Sequence, residues 1–375
     1  MPSKKIIELT NVDFSLRHFL LPLMRAARDR GHEVIGVAAE GPLLDDARAE
    51  GFRVVALPFR RNLSPMAHLR AFVALVKLFR AEKPDLVHAH MPITGFLGRI
   101  AARVAGVPVI AYTCHGFLFN QDGGLARRTA GFVMEWIAGR VTDFFFTVSA
   151  AEAGDARKLH IFANPVAIGN GRDPTVFRPD PVARARIRAE LGAPSDPAVP
   201  NRVVIVAVAR LIRDKGFSEL AEAMRQVPDA ELWVVGERLA SDRGDDMAVL
   251  LRGAGLGDRL RLLGYRHDVA AILAAADIFV LPSYFEALPM SVIEAMLSGL
   301  PVVASDIAGP RQQVVPETTG LLVKVRDVNA LAAGLLRLTA DAALRQRMGS
   351  AGRERAEKEF NEARVAAFTL DLLGL

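Results

Sequence analysis

A rhythm constrains this chain more than any single motif: short β-branched runs separated by helical patterns, in two series. The first series is "KIIEL", "EVIGVA", "RVVAL", "DLVHA", "PVIAYT" and "DFFFTV"; the second is "RVVIVAVA", "ELWVVG", "RLRLLG", "DIFVLP", "PVVAS" and "GLLV". Runs that are apolar throughout belong to strands buried on both faces, and strands alternating with helices form βαβ units and parallel sheets. Two series predict an α/β chain of two doubly wound, Rossmann-like domains facing a central cleft, with ligands beyond the carboxyl ends of the strands. A length of 375 residues suits two cores rather than one. The boundary falls in "IGNGRDPTVFRPDP", residues 168–181, where Gly, Asn, Asp and Pro accumulate, which gives domains 1–172 and 173–375. A second loop, "LGAPSDPAVPN", precedes the first strand of the second domain. The last segment, 360–375, carries an apolar face with nothing of its own to cover and is expected to pack back on the first domain.

With 51% hydrophobic and 24% charged residues the chain is globular rather than disordered. Its single cysteine, Cys114, forms no internal disulfide and suits a reducing compartment. The start, "MPSKKIIELT", lacks the apolar core of a signal peptide, and no run approaches the roughly 18 apolar residues of a membrane span. A soluble, cytoplasmic protein is expected. The net charge of +5 is concentrated in the first half. No acid occurs between Glu50 and Glu82, whereas Arg53, Arg60, Arg61, Arg70, Lys77 and Arg80 do. A helix read from Ser64 to Glu82 sets Leu69, Phe72, Val73, Val76 and Leu78 among these cations. Such a stretch fits an anionic membrane surface, a phosphorylated substrate, nucleic acid or a plain solvated face.

Between Ile278 and Ser305 the only charged side chains are Glu286 and Glu294. A buried carboxylate is costly unless hydrogen-bonded, so Glu294, set among apolar residues on a helix, needs a partner from protein or ligand. Glu286 belongs to the loop before that helix, and two carboxylates at one strand-to-helix junction suit sugar hydroxyls. In "VARLIRDKGF" Arg210 closes a strand and Lys215 opens the next helix, where a cation opposes the helix dipole unless an anion is shared. Phosphate would reconcile them; solvated side chains paired with Asp214 and Glu219 are the alternative. His115 in "YTCHGF" stands past a strand end, next to Gly116, and its imidazole is read as a donor to a phosphate or sugar. His88 and His90 share a strand face, but no nearby Cys, Asp or Glu cluster makes them a metal pair, and they read as structural. No GK[ST] P-loop, GxSxG elbow or GxGxxG turn is present.

In order and spacing, "ARLIRDKG", "LLGYRHDV", "DIFVLPSYFEALPMSVIEAM" and "TTGLLV" resemble the retaining nucleotide-sugar glycosyltransferases of the GT-B architecture, family 4. "DLVHAHMPITGFLGRIAARVAGVPVIAYTCHGF" is similar to the branch that builds bacterial capsule, exopolysaccharide and other surface glycans. The resemblance spans nearly the whole chain. It implies transfer of a hexosyl group from a nucleotide diphosphate sugar, UDP-linked, to a hydroxyl of a glycan or polyprenyl-diphosphate-linked acceptor. It implies no cofactor, no bound metal and no nucleic acid partner, and a place in the cytoplasm or on the inner face of the cell membrane.

Carried onto this chain, the resemblance makes Arg210 and Lys215 diphosphate ligands and Glu294 the partner of the ribose hydroxyls. Glu286 takes the donor sugar with the backbone amides of Ala287 and Leu288, Tyr265 and Arg266 frame the base, and His115 lines the catalytic centre. Asp13 and His18 fall on the acceptor side. The chain departs from the family's pattern at Ala287, where Gly is frequent, at Gln312, where Glu is frequent, and in "NVDFSLRH", which replaces a Gly-rich loop. Other readings of the same architecture are an epimerase, a phosphorylase or a bilobal sugar-binding protein without catalysis.

Overall fold

The computed structural model describes residues 2–59, 65–121, 123–192, 202–238, 242 and 244–375. Arg60, Arg61, Ser64 and most of "LGAPSDPAVPN" lie outside the described residues. The chain divides into two compact units: residues 1–169 with 362–375, and residues 170–361.

In the first unit the described strands are β1 (Lys5–Leu9), β2 (Glu33–Ala38), β3 (Arg53–Ala56), β4 (Leu86–His90), β5 (Val109–Cys114), β6 (Phe144–Thr147) and β7 (Val166–Ala167). They form one parallel sheet in the order β3-β2-β1-β4-β5-β6-β7. Six of them are runs the sequence marks as strands; the two-residue β7 is too short to show a pattern. Alternation across the pleat sends Ile7, Leu9, Val87 and Ala89 into one core and Ile6 and Leu86 into the other. The closing helix Glu362–Leu372 completes the second of these cores, where Ala366, Leu370 and Leu373 pack with Leu20 and Leu21. Arg30 fastens it by donating to Asp371 and to the Leu375 carbonyl.

The second unit carries β8 (Val203–Val208), β9 (Ala230–Val235), β10 (Leu260–Gly264), β11 (Ile278–Leu281), β12 (Val302–Ser305) and β13 (Gly320–Val323), parallel and ordered β10-β9-β8-β11-β12-β13. In both units the strand order reverses beside the first strand, between β1 and β4 and between β8 and β11. At such a point the loops leave in opposite directions and open a crevice at the carboxyl ends.

The basic segment is less free than its composition suggests. Arg53 makes a paired contact with Glu82 at 2.8 and 2.6 Å, which neutralises one of its charges. On the helix Pro65–Glu82, Val76 is buried in the core, whereas Met66, Leu69 and Val73 are exposed. No helix among the described residues is long and apolar enough to cross a membrane.

Candidate functional site

The loops after β8 and β11 meet because of one glycine. Gly216 has φ of +71°, and a Cβ there would lie 2.1 Å from the Pro282 carbonyl oxygen, so any side chain would force the loops apart. Their closeness puts Lys215, the end of a tight turn at Arg213–Lys215, against Glu286. The ammonium donates to Oε1 at 2.5 Å, and Ser283 Oγ donates to the same oxygen at 2.8 Å. Tyr284 ties the loops a second time, with its N–H on the Asp214 carbonyl and its hydroxyl on Glu219, both at 2.8 Å. Arg210 is half exposed and pairs with Asp242 at 2.7 Å. The alternative in which Asp214 and Glu219 neutralise the two cations is therefore not what forms: Asp242 and Glu286 pair with them, while the Glu219 carboxylate accepts from the Tyr284 hydroxyl.

Glu294 lies on the helix Met290–Leu297 and is 8% exposed. Its partner is a protein group. Arg172 donates from Nε at 2.7 Å, so the protein supplies a partner for this carboxylate before any ligand does. Arg172 belongs to the stretch read as a linker. Its neighbour Asn170 holds the Leu288 carbonyl at 2.8 Å, and Gln313 holds that of Pro289 at 2.9 Å. Sequence reasoning missed Asn170, Arg172, Ser283 and Gln313; only the demand of Glu294 for a partner pointed towards one of them. Among the described residues the N–H groups of Ala287 and Leu288 make no hydrogen bond. Gly309 faces the other side of that loop, where a Cβ would lie 2.7 and 2.8 Å from the carbonyl oxygens of Glu286 and Ala287. Arg266, assigned to the base, is held at 2.8 Å by both oxygens of Asp268 and at 3.0 Å by Glu190; their carboxylates raise its pKa further. Tyr265 beside it is exposed and meets His267 edge-on.

In the first unit, register brings together what sequence separates. Glu8 on β1 sits opposite His88 on β4, and His90 sits opposite Thr113 on β5, all on one face. Glu8 Oε1 meets His88 Nδ1 at 3.2 Å and Oε2 meets His90 Nε2 at 2.9 Å; all three residues are buried. The carboxylate that pairs with His88 and His90 comes from a distant strand, which their local sequence does not show. The chain of contacts continues from His90 Nδ1 to His115 Nε2 at 3.1 Å. Burial works to raise the Glu8 pKa, but the two histidines outweigh it and hold the carboxyl at about 2. Burial and the neighbouring His88 push His90 down to about 4, and burial with His90 keeps His115 well below the usual imidazole range. The ligand atoms of Glu8, His88 and His90 lie within 4.8 Å of one another, so these residues are where a metal ion would fit; it would have to displace the hydrogen bonds just described.

Met91, next to His90, holds φ of +65° at the start of the helix Pro92–Ala105, a strained turn of the kind found at functional sites. Asp13 is committed to the fold: its carboxylate accepts from the Phe14 and Leu43 N–H groups at 2.8 and 3.2 Å. His18 lies in a π-helical turn, Leu16–Leu20, its ring tilted against Phe14 and within 3.1 Å of Arg17. Cys114 is buried and unbridged. Glu152, buried under the His115 loop, accepts from Phe117 N–H at 3.0 Å; burial pushes its carboxyl up to about 8.

Residues 193–355 match the model of the glycosyl transferases group 1, and residues 16–171 match that of a glycosyl transferase 4-like domain. The UDP-Gal:α-D-GlcNAc-diphosphoundecaprenol α-1,3-galactosyltransferase of Escherichia coli is 33% identical over 319 residues, 81% of this chain and 79% of that protein. The chain belongs to the group 1 glycosyltransferases. A second relative, at 26% identity over 90% of each chain, is the N,N′-diacetylbacillosaminyl-diphospho-undecaprenol α-1,3-N-acetylgalactosaminyltransferase of Campylobacter jejuni. The structure of HepE from Anabaena, in complex with UDP and glucose, matches this glycosyltransferase with a TM-score of 0.86 at 22% identity over 99% of both chains. That likeness places the glycosyltransferase in the GT-B fold, with two Rossmann-like domains as its strand pattern predicts.

Proposed function

We propose that this glycosyltransferase moves a hexosyl group from a UDP-sugar to a hydroxyl of a polyprenyl-diphosphate-linked glycan, with retention of configuration and without a bound metal ion. The observation that carries the donor side is the convergence at the β8 and β11 loops of Lys215, Ser283, Glu286 and the two free amides of Ala287 and Leu288. An incoming diphosphate takes Lys215 from Glu286 and Arg210 from Asp242, and the released Glu286 carboxylate accepts from sugar hydroxyls. Glu294, oriented by Arg172, accepts from the ribose, and Tyr265 with Arg266 borders the base. As the glycosidic bond breaks, negative charge grows on the diphosphate, where preorganised cations stabilise the transition state more than the ground state. The acceptor-binding role falls to the first unit, which contributes His115. The undecaprenol-diphosphate substrates named for both relatives support the choice of acceptor class. Incubating the purified chain with a panel of nucleotide-sugars, with and without an undecaprenyl-diphosphate-linked sugar, tests the reading. Acceptor-dependent UDP release and an axial product linkage from an axial donor are expected, unchanged by a chelator. Release of nucleotide without a glycan product would point to a phosphorylase or epimerase instead.

A further inference from the structure

We propose that Glu8 and His90 are positioning residues that fix the His115 imidazole as its Nε2–H tautomer, so that Nδ1 accepts a hydrogen bond from a hydroxyl of the bound substrate. The inference rests on the reading that the substrate is a sugar. Its direction follows from proton counting along three contacts. An ionised carboxylate only accepts, so the imidazole nitrogens facing it, His88 Nδ1 and His90 Nε2, carry the protons. A neutral His90 protonated at Nε2 has a lone pair at Nδ1. His115 Nε2, 3.1 Å away, must then donate to it, and a neutral His115 is left with its lone pair on Nδ1. Among the described residues Nδ1 of His115 makes no hydrogen bond, while Phe19 borders the ring at 5.6 Å between centroids.

Reversing the chain would require a second proton on His90. That imidazole is 2% exposed and lies 4.1 Å, centroid to centroid, from His88; burial, the largest effect, and His88 oppose a cation there and outweigh the Glu8 carboxylate, which favours one. The consequence is selective. A sugar hydroxyl brings a proton to Nδ1, whereas the ionised oxygens of a diphosphate bring none and would face a lone pair. His115 therefore reads a hydroxyl and not a phosphoryl group, the opposite polarity to the donor role its place in "YTCHGF" suggests. The signal lay in Glu8, on another strand, the one acidic position of β1.

Nitrogen-15 spectra of histidine-labelled protein test this directly. In the wild type at neutral pH, His115 is expected to show a protonated Nε2 and a bare Nδ1, and Glu8→Gln or His90→Gln is expected to mix the tautomers. Turnover in either variant should drop by about 10–100-fold, as when hydrogen-bond partners of other functional imidazoles are lost. UDP affinity, measured by calorimetry, should stay within a factor of two. A bare Nε2 in the wild type, or an unchanged tautomer and turnover in both variants, would overturn the proposal. So would stoichiometric zinc binding that shifts the His88 and His90 nitrogens, since the cluster would then be a metal site. Should Glu8→Gln not fold, the wild-type spectrum decides alone. Because the tautomer is read without any transfer reaction, a chain that bound no UDP-sugar would sink the functional reading and leave this one to its own result.

Discussion

In the second unit the charged groups stand on loops at strand ends, each cation already held by a carboxylate, while in the first unit Glu8, His88 and His90 stand within strands and are locked to one another. The loop-built pairs are exchangeable. Lys215 and Arg210 can trade Glu286 and Asp242 for a more highly charged anion, because both remain partly exposed. The strand-built cluster is not exchangeable: its members are almost fully buried and fixed by sheet register. A ligand can thus rearrange the donor side, whereas the first unit can only present one preset face. That contrast sets how much each substitution should cost.

The largest effect is expected at Lys215. On the proposed function its loss deletes a charge-assisted donor to the leaving diphosphate, and Lys215→Ala should lower kcat by about 10²–10³-fold, with a smaller rise in KM. Arg210→Ala should cost roughly tenfold, since its half-exposed charge is screened by water. Steady-state kinetics of both variants checks the order; wild-type activity in both would mean that the loops do not hold the phosphates.

Next comes Glu294. Its removal takes a carboxylate from the Arg172 guanidinium in a site where both side chains are 11% exposed, so Glu294→Ala should destabilise the fold by about 1–3 kcal/mol as well as weaken UDP binding. Adding Arg172→Met should recover part of the midpoint in a thermal melt, because a buried cation that has lost its carboxylate costs more than an apolar replacement. A single variant as stable as the wild type would show that Arg172 is not the partner the carboxylate depends on.

These two sites also mark how far the sequence can be read. The strand runs, the two sheets, the loop positions of Arg210, Lys215 and Glu286 and the helical position of Glu294 were legible, because a βαβ repeat writes its strand ends in order and each motif is local. Partners were not. Arg172 lies 122 residues from Glu294, and its stretch reads as a linker by composition. Glu8 lies 80 residues from His88, and nothing in either strand announces the register that pairs them. The demand for a partner to Glu294 was legible, but its identity is a property of packing.

A smaller effect is expected from Glu152, beneath the His115 loop. Burial, then the neighbouring Asp155 and Glu135 carboxylates, raise its carboxyl to about 8, against the Phe117 N–H and Ser149 that lower it. A raised carboxyl pKa favours folding below its unfolded value of 4.5 and loses that contribution as pH rises towards 8. Thermal midpoints of the wild type should therefore decline across that window, and Glu152→Gln should flatten the decline. An identical slope in both proteins would assign the decline to other groups.

The smallest effect concerns the surface of the first unit, where Met66, Leu69 and Val73 lie exposed among Arg70, Lys77 and Arg80. Each cation near an anionic bilayer adds roughly 1 kcal/mol at low salt, and Arg53 is excluded by Glu82. Weak co-sedimentation with anionic vesicles, lost at high salt and absent with neutral lipid, is expected. Equal pelleting under all conditions, or none with anionic lipid at low salt, would make the helix an ordinary solvated face.

The account stands or falls on whether the β8 and β11 loops of the second unit hold a nucleoside diphosphate. Calorimetric titration of UDP into the wild type, Lys215→Ala and Glu294→Ala measures this with no acceptor needed. One saturable site is predicted for the wild type, with affinity reduced at least tenfold in each variant. Undiminished binding in both variants, or no binding to the wild type, would contradict it.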